Sequence, residues 1–152
     1  MRLWVETEAL HSAGRAVRAK VSEMTEEINK KAKARGIQAV NALRNAELDV
    51  LKGQRSGKVY RKAHTKHATY TASAPGEPPA RRTGALRLHW NGEVKSEQSG
   101  KKTTVTAVLE SQESYAGILE NGSPKMAPRP FVDRIKEQAK PEIEKIYSRP
   151  YR

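Results

Sequence analysis

Apolar positions along this chain change period several times, and each change marks a different kind of element. Val17, Val21, Met24 and Ile28 recur at steps of four, three and four residues, which places them on one stripe of a helix. Glu26 with Lys30 and Glu27 with Lys31 stand i, i+4 in the favourable order, each pair supporting an exposed helix face by ~0.2–0.5 kcal/mol. After Gly36 the apolar residues resume at Ile37, Val40, Leu43, Leu48 and Leu51, out of phase with the first stripe. A bend near Gly36 is expected, because glycine inside a helix costs ~1 kcal/mol relative to alanine. Lys52 in the last turn and Gly53 after it form a stop signal. The pattern predicts one long or twice-jointed helix over about residues 8–52. Ahead of it Leu3 and Val5 alternate about Trp4, as in a short strand over residues 2–6.

Residues 53–84 break with both periods: Gly, Ser, Thr, Pro and basic residues dominate, and neither a helical nor a sustained two-residue repeat runs through them. Residues 73–84, reading SAPGEPPARRTG, hold three prolines and two glycines, which exclude a helix and leave little freedom for a central strand. Such a stretch is uncommon inside a compact domain and usually functional, so it reads as a long basic loop or extended arm. Leu86, Leu88 and Trp90 then alternate with Arg87 and His89 as a half-buried strand would, and Val105, Ala107 and Leu109 line one face of a second strand. Asn91-Gly92 suggests a bulge and Ser99-Gly100 a turn, which together predict a long antiparallel hairpin.

Residues 115–120 suit a short helix ended by Asn121-Gly122, and residues 123–129 are expected to be extended because Pro124 and Pro128 interrupt them. A last helix opens at Pro130, with Asp133 near its positive end. Phe131, Ile135, Ala139, Ile143 and Ile146 continue one stripe through Pro141; lying ~200° around the helix from Ala139, Pro141 faces away and is expected to kink the helix, not end it. The expected class is α+β: a long N-terminal helix and a C-terminal helix packed on a small antiparallel β-sheet, with the basic arm beside them.

Composition narrows the function. A chain of 152 residues suits one domain over 1–152. Hydrophobic residues are only 36% and phenylalanine occurs once, so the core is built mainly from Leu, Ile, Val and Ala. Cores this lean are often completed by neighbouring subunits. No apolar run approaches the ~18 residues of a membrane span. The opening residues lack the layout of a secretion signal, which points to assembly in the cytoplasm without a membrane partner. Having no cysteine, the chain excludes disulfide scaffolds, thiolate zinc sites and cysteine nucleophiles.

The formal net charge of +12 attracts an acidic partner, and its excess is local: residues 52–89 carry nine basic groups and one acidic group. Lys52, Arg55, Lys58, Arg61, Lys62 and Lys66, with Tyr60 and Tyr70 interleaved and Arg81 and Arg82 beyond, could neutralise phosphates while the tyrosines stack. The reading to be preferred is that the same arm lies on an acidic face of a neighbouring protein or stays solvated. Catalytic chemistry finds little support. His64 and His67 are the only histidines close in sequence and lack a nearby carboxylate to complete a metal site. No glycine-flanked serine elbow or phosphate-cradling glycine loop occurs. The residues point to a protein that is not an enzyme and takes no cofactor.

Two segments, residues 57–87 and 115–139, carry an ordered set of motifs. Ala74-Pro75-Gly76-Glu77-Pro78-Pro79 precedes Thr83-Gly84 and Leu86; Tyr115-Ala116 precedes Glu120 and Gly122; Arg129-Pro130-Phe131 opens the last helix. In that order and spacing the chain resembles the gene-product-ten-like tail-component family of long-tailed phages, with Ser123 where the family more often has threonine. The resemblance implies a structural virion protein of the phage neck or head-proximal tail end. It further implies a homo-oligomeric ring, sixfold, that completes the tail and joins it to the head. The implied partners are the head-completion protein, the tail terminator and the tail tube, with sequence-independent contact to genomic DNA. A free nucleic-acid-binding protein using residues 52–82 on DNA is the alternative. Physically, the motif residues read as joints: Arg129 and Pro130 turn an extended segment into a helix, Phe131 anchors it, and Thr83-Gly84 reverses the chain.

Overall fold

A computed structural model describes residues 7–151; the strand expected over residues 2–6 lies outside them. The elements in order are α1 (Thr7–Val50), β1 (Val59–Arg61), β2 (Thr69–Thr71), α2 (Ala85–Leu88), β3 (Trp90–Ser99), β4 (Lys102–Ser111), α3 (Ala116–Asn121) and α4 (Val132–Ser148). The fold is α+β. Helix α1 is its axis, receiving α4 on one face and the β3–β4 hairpin on another.

The α1–α4 seam is made by small residues. Ala39, Ala42 and Ala46 on α1 and Ala139 on α4 are buried, and side chains of this size let helix backbones approach closely. Around Ala46 and Ala139 gather Leu51, Ile135 and Phe131, the last being the largest fully buried apolar side chain. Trp90 packs its indole edge-on to Phe131, ring centres 6.2 Å apart, tying the start of β3 to this core. The expected α4 stripe is the buried one, and the helix continues through the exposed Pro141. Its first residue is Val132, with Phe131 as the cap in place of Pro130, a difference within the ordinary fraying of helix ends. At its far end the chain returns to α1: Arg35 donates to the Pro150 carbonyl at 2.9 Å and its guanidinium lies 3.6 Å from the centre of the Tyr151 ring.

Several expectations are corrected. Helix α1 is, as one of the two expected forms, a single long helix that continues through Gly36. That glycine serves contact with the hairpin: a Cβ there would stand 2.8 Å from Val94 Cγ1 and 3.0 Å from Val105 Cγ1. Gly92 does the same in reverse, its missing Cβ leaving room for Val40 Cγ1, which would otherwise be 2.5 Å away. It is therefore no bulge, and β3 pairs with β4 in constant register from Trp90↔Ser111 to Ser99↔Lys102. Gly100, with φ +58°, opens the two-residue turn, where a type II′ hairpin requires glycine. Val105, Ala107 and Leu109 share the inward face as expected, half-buried.

Leu86 and Leu88 belong to the short helix α2 and not to a strand. Gly84 at φ +93° reverses the chain there, and the Thr83 hydroxyl accepts the Ala85 N–H at 3.3 Å, so a helical turn forms before alternation can be read as a strand. Residues 123–129 are not wholly extended, since Ser123 and Met126 close a tight turn by exchanging backbone hydrogen bonds of 2.8 and 3.1 Å. Of the apolar positions along the first helix, Val17, Val21, Met24, Ile28 and Ile37 are exposed, while Val40, Leu43, Leu48 and Leu51 are half-buried or buried.

Candidate functional site

The basic stretch, expected as a long loop or extended arm, contains a short β-hairpin. β1 and β2 pair antiparallel with Tyr60 opposite Tyr70, and their rings stack 5.7 Å apart. Hydrogen bonds from Gly57 N–H to Ala72 O, Ala72 N–H to Lys58 O and Lys62 N–H to Ala68 O extend the pairing at both ends, at 2.8–2.9 Å. Gly57 admits no side chain, since a Cβ would meet the Ala72 carbonyl oxygen at 2.5 Å. At the tip His64 takes a left-handed φ of +61° and the Thr65 hydroxyl donates to Lys62 O at 2.9 Å. Sequence periodicity misses these strands because each has three residues. The hairpin exposes Lys58, Arg61, Lys62 and Lys66, and Lys52 at its root is exposed as well. The Lys58 ammonium lies 5.6 Å from the Tyr60 ring centre.

The base of this hairpin is clamped. Glu77 accepts hydrogen bonds from the Ser56 hydroxyl, from Ser56 N–H at 3.1 Å and from Ala74 N–H at 2.8 Å. These donors, the Ser56 hydroxyl foremost, hold its carboxyl down at about 2. Arg55, expected to serve a partner, is turned inward: it donates to Pro79 O at 3.2 Å, Gln54 O at 2.9 Å and Val50 O at 2.8 Å. Gly76 N–H reaches Pro128 O at 3.1 Å and Arg134 donates to Gly76 O at 3.0 Å, while Pro78 and Pro79 are buried. Pro75 stays exposed beside them.

Between this base, α2 and α3 lies a cleft of about 610 Å³. Arg81, Arg82, Arg87 and Arg129 line it with Tyr70 and Tyr115, over a floor of Leu51, Leu86, Leu119 and Met126, and no carboxylate is among its lining residues. Arg81 and Arg82 are exposed. The Arg129 Nη1 is enclosed without a hydrogen-bond partner among the described residues. Burial first, then the neighbouring Glu113 carboxylate, raises the Tyr115 hydroxyl above its ordinary value. The structure thus brings Tyr70, Arg81, Arg82, Thr83, Gly84, Leu86, Tyr115 and Arg129 to one place, though the sequence separates them widely.

The remaining motif residues are joints of the α3–α4 corner. Glu120 accepts the N–H groups of Phe131 and Val132 at 2.8 and 3.2 Å, capping the positive end of α4 from another helix. Gly122, at φ +79°, ends α3, and a Cβ there would meet Met126 O and Pro128 at 2.9 Å. Arg129 N–H returns to Leu119 O at 2.7 Å and Pro130 follows, half-buried.

Glu47 goes unnoticed in the sequence and is the most unusual carboxylate. It is fully buried on α1, with Arg44 at 3.1 Å in an ion pair that lacks hydrogen-bond geometry. Burial pushes its pKa up to about 7 against the pull of Arg44 and Arg87. The i, i+3 spacing of Arg44 and Glu47 is the only local signal, and it is common on solvated helices.

Among the described residues no group of three or more His, Asp or Glu is placed to hold a metal ion, and no helix is long and apolar enough to cross a membrane. No protein-family model, curated protein or solved structure matches the chain.

Proposed function

We propose that this chain is a structural virion protein of the neck or head-proximal tail end of a long-tailed bacteriophage, where copies form a sixfold ring that completes the tail and joins it to the head. It is assembled in the host cytoplasm, acts without a cofactor, and meets the head-completion protein, tail terminator and tail tube. The observation that carries this reading is the basic β1–β2 hairpin standing exposed on a clamped base. Glu77, Arg55, Gly76 and Arg134 spend their polar groups fixing that base to the body. Lys58, Arg61, Lys62 and Lys66 are left outward. A closed ring needs a head-to-tail contact between two different patches, and a basic element held at a fixed angle is suited to supply one side of it. The motif residues act as joints between elements, which is work that an assembling scaffold requires.

The stacked Tyr60–Tyr70 pair amid exposed cations favours a second reading, in which the same hairpin contacts DNA phosphates without reading sequence. A salt series on the purified chain separates the two. The ring reading expects weak binding to any duplex together with stable complexes of virion proteins. Tight DNA binding that falls steeply with salt, with no such complexes, would transfer the function to the second reading.

A further inference from the structure

The amino-terminal part of α1 runs clear of everything else described. The chain's return onto α1 reaches Arg35 through Pro150 and Tyr151, and residues 11–28 are exposed throughout. Yet this part carries four large apolar side chains, Val17 (62% exposed), Val21 (57%), Met24 (53%) and Ile28 (45%). Their steps of four, three and four residues are the alternation of the two core positions of a heptad. A helix that lies on a globular core shows a wider stripe, whereas a narrow seam of this spacing suits one partner helix wound along it.

We infer that this segment of α1 pairs antiparallel with the same segment of a second copy of the chain. Setting Val21 against the partner's Met24 also sets Val17 against the partner's Ile28. The twofold axis then repeats both contacts, so one stripe fills four layers from its own residues. The charges beside the seam choose the direction. In this register Lys20 comes next to the partner's Glu27, and Glu27 next to the partner's Lys20. A parallel pair would place Lys20 beside Thr25 and Glu27 beside Ala32, with no charge matched. In the single chain Lys20 meets Glu23 at 2.9 Å with both side chains 67% exposed, an exposed pair that is readily exchanged. The inference rests on α1 alone and does not depend on the ring.

The chain has no cysteine, so introduced thiols report pairing directly. Val21→Cys and Met24→Cys proteins, prepared separately and mixed under mild oxidation, are expected to form a disulfide between each other and none when kept apart. Sedimentation of the wild-type chain is expected to show a dimer of the 17.0 kDa chain. The Val21→Glu/Met24→Glu variant should retain its helical circular dichroism and associate about tenfold more weakly or less, because charges would be buried in the seam. Cross-linking of Val21→Cys to itself would mean a parallel pair and overturn the inference. A wild-type chain that sediments as a single copy, or an association unchanged in the double variant, would overturn it as well.

Discussion

Glu47 shows how one side chain can set the pH response of a fold. Its carboxyl is held near 7 against an ordinary 4.5 because burial disfavours the charge. The folded chain therefore keeps a proton that the unfolded chain releases. That contribution to stability is fully present below about 4.5 and is lost as pH rises through about 7. Glu47→Gln is expected to raise stability at pH 8 by about 1–3 kcal/mol and to change little at pH 5, as read by urea melts at both values; equal shifts at the two pH values would contradict this. Glu120 works as a cap, accepting the first N–H groups of α4, and Glu120→Ala is expected to cost about 1 kcal/mol in the same melts while leaving the α3 amides protected. The sequence discloses the importance of Glu120 only through the motif it belongs to, because its two acceptor contacts lie 11 and 12 residues away in the chain. For Glu47 it offers only the i, i+3 spacing from Arg44, which is common on solvated helices.

At the scale of elements, α1 and α4 are legible because their apolar residues repeat over many turns, and the β3–β4 hairpin because Val105, Ala107 and Leu109 alternate for long enough to be read. What hides is whatever depends on contact between elements. Gly36 gives no sign in the sequence of its contact with the hairpin, and the buried face of α1 is carried by Ala39, Ala42 and Ala46 while the larger Ile37 faces out. The three-residue strands β1 and β2 fall below the length at which a two-residue period can be distinguished. Gly36 supplies a test whose sign is set by packing. Helix propensity alone would make Gly36→Ala stabilising by ~1 kcal/mol. With Val94 Cγ1 2.8 Å from the new Cβ, a loss of about 1–3 kcal/mol is expected instead. Adding Val94→Ala should recover part of that loss in a double-mutant cycle, whereas a stabilised single variant would show that the hairpin yields freely.

For the whole molecule, the +12 charge has a location as well as a magnitude. One portion stands on the exposed β1–β2 hairpin and another, from Arg81, Arg82, Arg87 and Arg129, faces the cleft at its base. Composition predicts the hairpin's charge but not the cleft, which forms only when residues from the arm, α2 and the α3–α4 corner meet. The cleft lies at the base of the hairpin, and residues 11–28 of α1 stay uncovered. The proposed role in the neck is tested most directly by electron microscopy of the neck of the intact phage particle. The expected result is a closed sixfold ring of this chain at the head-proximal end of the tail, each basic hairpin reaching the next subunit. A neck built without this chain would contradict it.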